Sequence, residues 1–152
     1  MLPISELMRR EITMVSPDAP VRRVIEIMVE TGVEAVLVVD GRGRVIGSIG
    51  DDQLIAGLHS SRTRSWWGQI VADGRGGPAE EHLSDLPAGE IMLGRVVPVD
   101  PTTSARAAIR RFDEHGVSVM AVVDRRNLVG AIYRGDLIRH LLLPYAFGRT
   151  DK

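Results

Sequence analysis

Apolar residues recur at helical spacing in two separate stretches of the chain. The apolar positions are Val21, Val24, Ile25 and Met28 in the first stretch and Ala105, Ala108, Ile109 and Phe112 in the second. The spacing i, i+3, i+4, i+7 places each set on one face of an amphipathic helix. Gly32 and Gly116 follow these stretches, and a glycine there commonly ends a helix in the left-handed conformation. The pattern therefore predicts two helices, each with one buried face.

Short runs rich in β-branched residues follow each predicted helix. Residues 35–39 and 45–49 flank one polar turn, and residues 119–123 and 128–133 flank another. This arrangement predicts a β-hairpin after each helix. An extended piece precedes each helix, and a second apolar helical segment follows each hairpin, around Leu54 and Leu137. The predicted order of elements is β-α-β-β-α, twice.

The two stretches are copies of one unit. Residues 7–43 align with the residues 84 positions later in the chain. After the hairpin turn, with Arg44 left out, residues 45–58 align with the residues 83 positions later. Of the 51 aligned pairs, 17 are identical. Chance alone supplies only a few identities, so the chain contains an internal repeat. Each copy is close to the lower size limit for independent folding. We therefore expect a mixed α/β (α+β) fold in which the two copies pack sheet to sheet with pseudo-twofold symmetry.

Charge and composition exclude several classes of protein. The 19 basic and 20 acidic residues leave a net charge of -1, which does not attract nucleic acid or anionic lipid. With no cysteine there is no disulfide, thiolate nucleophile or cysteine-ligated metal. The four histidines are isolated in the sequence, so no metal site is predicted. Uncharged residues 141–147 are far short of the ~20 that cross a membrane. These features predict a cytoplasmic protein without a membrane partner.

The repeated residues resemble a known family. The residues that carry the resemblance are Val15-Ser16-Pro17 and Val99-Asp100-Pro101, Val38-Val39-Asp40 and Val122-Val123-Asp124, and the pairs Gly47 with Ile49 and Gly130 with Ile132. In this order they are similar to the cystathionine-β-synthase (CBS) domain, and two tandem copies resemble a Bateman module. The resemblance implies a first CBS motif at 1–62, an inter-motif insertion at 63–87, a second motif at 88–145 and a tail at 146–152.

The resemblance also implies a function. Tandem CBS pairs are regulatory modules, not enzymes, and commonly bind AMP, ADP or ATP in clefts between the motifs. They usually form homodimers, and we expect a signal to an effector protein without any obligatory cofactor. The sequence has no glycine-rich nucleophile elbow that is accompanied by a catalytic-triad order of serine, histidine and acid, or by a pair of acidic residues. This also disfavours an enzyme.

The family signature for ribose and phosphate is Gly-x-x-Ser/Thr-x-x-Asp. The second copy keeps the acid as Asp136 and has Tyr133 at the hydroxyl position, whereas the first copy has Gly50 and Gln53. A carboxylate can accept hydrogen bonds from both ribose hydroxyls. Asp136 could equally be the N-cap of a helix beginning at Leu137. Tyr133 either stacks on adenine or fills the cleft.

The resemblance implies two sets of ligand-binding residues. The second site comprises Asp136, Tyr133 and Arg134, with Val96, Val97, Ser118, Val119 and Met120 around adenine. The first site comprises Ile12, Thr13, Ala35, Val36, Gly50 and Gln53. Arg134 or Arg106 could hold the phosphate. The alternative for the apolar members is an ordinary place in the hydrophobic core.

Two other functions are compatible with the sequence. The altered motif at residues 47–53 favours a module that binds no ligand and acts through dimerisation or protein interaction. The aromatic and basic segment that contains Trp66 and Trp67 could stack on single-stranded nucleic acid. The balanced net charge disfavours this last function.

Overall fold

The computed structural model describes residues 2–63 and 79–148. The chain forms two compact units, one made of residues 13–95 and the other of residues 1–12 together with 96–152. We call them the 13–95 unit and the 96–152 unit. Trp66, Trp67 and the glycine-rich residues 73–78 lie outside the described residues.

The 13–95 unit contains the first copy of the repeat. Its elements are β1 (Met14–Val15), α1 (Val21–Thr31), β2 (Ala35–Val39), β3 (Val45–Gly50), α2 (Asp51–Thr63), α3 (Ala79–Asp85) and a 3-10 turn at Ala88–Glu90. Strand β2 is central in the sheet and pairs in parallel with β1 and antiparallel with β3.

The 96–152 unit repeats this arrangement. Its elements are a 3-10 turn at Ile4–Glu6, β4 (Pro98–Val99), α4 (Ala105–His115), β5 (Val119–Asp124), β6 (Asn127–Tyr133), α5 (Arg134–Leu142) and a 3-10 turn at Leu143–Tyr145. Strand β5 is central, parallel to β4 and antiparallel to β6. The predicted order β-α-β-β-α is confirmed in both copies.

Helix α1 ends as predicted, but its buried face is rotated from the predicted one. Gly32 ends the helix with φ 73°, and in α4 Gly116 does the same with φ 65°. The buried residues of α1 are Val21, Val24 and Ile27, while Ile25 is 40% exposed. At 100° per residue, Ile27 lies closer to Val24 than Ile25 does. The prediction that Ile25 belongs to the buried face is therefore wrong.

The segment that precedes each copy of the repeat packs against the sheet of the other copy. In the 96–152 unit, Ile4 is fully buried and its backbone N–H donates to the Thr103 carbonyl at 2.8 Å. Arg9 and Ala131 exchange two backbone hydrogen bonds, each of 2.9 Å. In the 13–95 unit, Ser48 and Leu93 make the equivalent exchange, at 3.1 and 2.8 Å. Residues 2–12 therefore pack with the second copy, and residues 79–95 pack with the first.

None of the helices in the described part of the chain is both long and apolar enough to span a bilayer.

Candidate functional site

The predicted second-site residues converge at one end of the sheet in the 96–152 unit. Strand β6 ends at Tyr133, which lies opposite Val119 in the register of β5. The backbone N–H of Arg134 donates to the Ser118 carbonyl at 3.0 Å. Because β4 runs parallel to β5, Val96 and Val97 approach the same end of the sheet. The fold thus brings these residues together around the start of α5.

Burial separates these residues into two groups. Val97, Val119 and Met120 are all buried, so their side chains belong to the hydrophobic core. Val96 is 38% exposed and Ser118 is half-buried. The surface at this end of the sheet is therefore formed by Val96, Ser118 and the first turn of α5.

Asp136 occupies the third position of helix α5. The helix begins at Arg134 and no side chain caps it, so the interpretation of Asp136 as an N-cap is wrong. Its Oδ2 accepts from Arg9 Nε at 2.9 Å, and its Oδ1 accepts from Arg9 Nη2 at 3.2 Å and from Arg139 Nη2 at 2.8 Å. The hydrogen bonds from Arg9 lower the pKa of Asp136, and Arg139 adds to this effect against partial desolvation.

Arg9 is the residue that sequence reasoning missed. Its guanidinium carbon lies 5.3 Å from the centroid of the Tyr133 ring, within the range of a cation–π contact. Tyr133 is only 2% exposed, which favours the interpretation that its ring fills space. The equivalent position in the other copy is Leu93, so comparison of the two repeats draws no attention to Arg9.

The charges around Asp136 favour the binding of an anionic ligand. Two guanidinium groups, from Arg9 and Arg139, share the single carboxylate, so the cluster has a local positive excess. Arg134 is half-buried and begins the same helix. The fork-shaped guanidinium group suits phosphate oxygens.

Arg106, the other predicted phosphate ligand, lies elsewhere in the unit. It lines an open cavity of about 480 Å³ with His140, Leu141, Leu142, Pro144 and Tyr145. These residues surround the C-terminal end of α5, whereas Asp136 lies in its first turn. The structure therefore groups Arg134, and not Arg106, with Asp136.

The predicted first site has different chemistry. Ala35 pairs with Gly50 in the sheet, and both residues are buried along with Val36. The Thr13 carbonyl accepts from the Leu37 N–H at 3.3 Å. Gln53 Oε1 accepts from the Gly50 N–H at 2.8 Å, which satisfies a free donor at the start of α2.

The remaining residue of the predicted first site, Ile12, is half-buried and belongs to the segment 1–12 of the 96–152 unit. Asp51 and Asp52 lie in the first turn of α2, where acidic residues interact favourably with the positive end of the helix dipole.

Across residues 2–63 and 79–148, no three histidine, aspartate or glutamate side chains are close enough to hold a metal ion.

Comparison with known proteins identifies the repeated unit. A sequence profile of the family described as CBS domain matches residues 4–60 and again residues 88–143. The chain belongs to the CBS-domain family. It is a tandem CBS pair, as the sequence predicts, and the resemblance to that family is confirmed.

This CBS pair is similar to a curated protein in sequence and to solved structures in fold. The CBS domain-containing protein YhcV of Bacillus subtilis is 26% identical over 134 residues, covering 88% of this chain and 81% of YhcV. The CBS-domain containing protein ATU1752 from Agrobacterium tumefaciens has a TM-score of 0.68 at 16% identity, covering 86% of this chain and 84% of that one. CBSX2, solved in complex with AMP, has a TM-score of 0.66 at 22% identity, covering 95% and 99%.

Proposed function

We propose that this CBS pair is a regulatory module that binds an adenine nucleotide (AMP, ADP or ATP) at the Asp136 site. The observation that carries the proposal is a partly exposed carboxylate at the family's ribose position, within a cluster of arginines. The complex of CBSX2 with AMP supports this ligand class. The module acts by binding, without catalysis, and passes the signal to an effector protein.

Each part of a nucleotide has a matching group at the site. The two oxygens of Asp136 can accept hydrogen bonds from the 2′- and 3′-hydroxyls of ribose. Arg134 and the arginines that contact Asp136 supply positive charge for a phosphate. Val96 and Ser118 offer surface at the end of the sheet where the base would lie. Ligand binding would shift the population of conformations that the effector recognises.

The 13–95 unit lacks this combination. Gln53 occupies the position of Asp136 but binds the Gly50 N–H at the start of its own helix. Its amide carries no charge, and a bond to ribose would have to replace the existing one. We therefore propose one nucleotide for each chain.

A thermal-shift and titration experiment tests the proposal. AMP, ADP and ATP are added at up to millimolar concentration to the wild type, to Asp136→Asn and to Gln53→Glu. We expect the wild type and Gln53→Glu to be stabilised, and Asp136→Asn to bind about tenfold more weakly, equivalent to ~1.4 kcal/mol. A wild type that shows no shift and no heat of binding with any of the three would overturn the proposal.

A second candidate function is dimerisation and protein interaction. Ile25 and Val29 lie four residues apart on α1, and Val29 is 78% exposed. Ile138 and Leu142 have the same spacing on α5 and are also exposed. Residues at i and i+4 share a face, so each helix presents an apolar stripe that a second subunit could cover.

Light scattering tests this second function. We expect the wild type to form a homodimer and Val29→Glu to shift the mass towards the 16.6 kDa monomer. Arg23→Glu, an exposed change on the same helix, is a stricter control for charge, because it lowers the net charge by two and also breaks the ion pairs with Glu26 and Glu30. A monomeric wild type at high concentration would exclude the homodimer.

A further inference from the structure

We propose that Arg9 competes with the ligand for Asp136 and thereby makes the site selective for phosphorylated adenosine over adenosine itself. This inference rests on the proposed function, because it concerns the same carboxylate. Three observations carry it: the bidentate ion pair, the contact of Arg9 with Tyr133 and the fixed backbone of Arg9.

The ion pair and a ribose require the same atoms. Arg9 Nε and Nη2 donate to Oδ2 and Oδ1 of Asp136, so one guanidinium group uses both carboxylate oxygens. Arg139 uses a further acceptor position on Oδ1. A carboxylate has about four lone-pair positions, of which three are then occupied. Both positions on Oδ1 are filled, so a ribose diol that bonds to both oxygens must displace the guanidinium group of Arg9 or that of Arg139 from Oδ1. Arg9 is the one that occupies both oxygens.

The backbone of Arg9 is held while its side chain can move. The two hydrogen bonds with Ala131 anchor the backbone to β6, the edge strand of the sheet. A Cβ atom at Gly130 would lie only 3.0 Å from the Arg9 carbonyl oxygen, which shows how closely this segment approaches the strand. The side chain itself is 40% exposed, compared with 20% for Asp136. A displaced guanidinium group would thus remain within one side-chain length of the site.

The phosphate decides whether displacement is favourable. Adenosine breaks a partly buried, bidentate ion pair and supplies no anion in place of the carboxylate. A nucleotide supplies phosphate oxygens in the same region, and a guanidinium group binds them with the same fork geometry. Arg9 thus opposes binding of the nucleoside and favours binding of the nucleotide.

Calorimetric titration with adenosine and AMP tests this selectivity. The proteins are the wild type, Arg9→Gln, Arg10→Gln and Arg139→Gln, each checked for its unfolding transition. Arg10 is the matched control, because it is the exposed neighbour of Arg9 and its guanidinium group donates to the Ser5 carbonyl at 3.3 Å. We expect the wild type to prefer AMP by tenfold or more. In Arg9→Gln, adenosine should bind about fivefold more tightly, and the preference for AMP should fall below threefold.

An NMR measurement follows Arg9 directly. Its Nε–H signal should shift when the wild type is saturated with AMP, whereas the corresponding signal of Arg10 should remain unchanged. Arg139→Gln should keep more of the AMP preference than Arg9→Gln does, since Arg9 still occupies both oxygens of Asp136 in that variant.

The outcomes separate this inference from the proposed function. If AMP binds the wild type and requires Asp136, but Arg9→Gln has unchanged affinities for both ligands, the competition is refuted and the nucleotide site stands. An equal loss of both affinities in Arg9→Gln would assign Arg9 a structural role only, which also refutes it. If neither ligand binds any of the proteins, the proposed function and this inference fail together.

Discussion

Gly130 and Met8 approach each other so closely that a Cβ atom on the glycine would lie 2.6 Å from the methionine sulfur. The equivalent Gly47 has the same relationship with Met92, at 2.9 Å, and a Cβ there would lie 2.5 Å from the Leu93 carbonyl oxygen. Each glycine is the first residue of the family signature. Its lack of a side chain lets the segment before one repeat lie against the last strand of the other.

Replacing these glycines by alanine should destabilise the protein to different degrees. We expect Gly47→Ala to cost about 2–3 kcal/mol, because the new methyl group meets a backbone carbonyl that cannot rotate away. Gly130→Ala should cost about 1–2 kcal/mol, since the flexible Met8 side chain can yield and the nearest backbone atom, the Arg9 carbonyl oxygen, lies farther away at 3.0 Å. Urea unfolding measures both changes. Gly94→Ala, with no atom within 4 Å, is the control and should be nearly neutral. Equal costs for Gly47→Ala and Gly94→Ala would contradict the close approach.

Gln53 should matter for stability and not for nucleotide binding. Gln53→Ala removes the acceptor for the Gly50 N–H, and we expect a loss of about 0.5–1 kcal/mol in the free energy of unfolding. Gln53→Glu keeps an acceptor at the same place and should retain that stability. Titration of both variants with AMP should give the wild-type affinity. A loss of AMP binding in Gln53→Ala would instead show that the 13–95 unit contributes a ligand site.

The ion pairs of Asp136 should make stability depend on pH in the acid range. Hydrogen bonds from Arg9, followed by those from Arg139, lower the pKa of Asp136 below its ordinary 3.8. Above that value the carboxylate is ionised in the folded and unfolded states, so its stabilising contribution is fully present. As the pH falls through 3.8 towards the folded pKa, the unfolded state takes up the proton first and the contribution is lost.

Urea unfolding of the wild type and Asp136→Asn from neutral pH down to about pH 2 measures this loss. The difference in unfolding free energy between the two proteins should be constant above about pH 5 and should decrease below the ordinary aspartate pKa. Asp40 and Asp100, whose pKa values are lowered by hydrogen bonds from Arg44 and Thr102, remain in both proteins and cancel. A difference that stays constant to the lowest pH would show that the ion pairs do not shift Asp136.

The turn between β5 and β6 offers a stabilising substitution. Arg125 and Arg126 have φ of 51° and 72°, and they connect the paired residues Asp124 and Asn127. Positive φ at both central residues is typical of a type I′ turn, which favours Asn-Gly. We expect the double substitution Arg125→Asn, Arg126→Gly to raise the unfolding free energy by about 1 kcal/mol.

Arg42 provides the control for this substitution. It is the counterpart of Arg126 in the repeat, but the positive φ in its turn, 79°, belongs to Gly43. Its backbone N–H donates to Asp40 Oδ1 at 2.9 Å. Arg42→Gly should therefore leave stability unchanged or lower it, as urea unfolding can show. An equal gain in both turns would mean that loss of positive charge, and not backbone conformation, causes the effect.

Local patterns in the sequence predicted most of the fold. The spacing of Val21 and Val24 predicted α1, and Gly32 predicted its end, because both signals depend on neighbouring residues only. The exact buried face was harder to predict. Ile25 and Ile27 are equally apolar, and which one is buried depends on the direction from which the sheet approaches.

The candidate site was predicted in part for the same reason. The family signature led to Asp136 and Tyr133, but the start of α5 at Arg134 changed the position of Asp136 within the helix. Arg9 was missed because 127 residues separate it from Asp136 and no local pattern connects the two.

By itself, the sequence determined the duplicated β-α-β-β-α order, the ends of the first helices and the acid at the last position of the family signature, because each depends on residues a few places apart. Only the tertiary structure decided that residues 2–12 join the second copy, and therefore that Arg9 contacts Asp136 and Tyr133. The physical reason is that this placement depends on an unpaired strand edge and on space beside Gly130, which are properties of the folded chain.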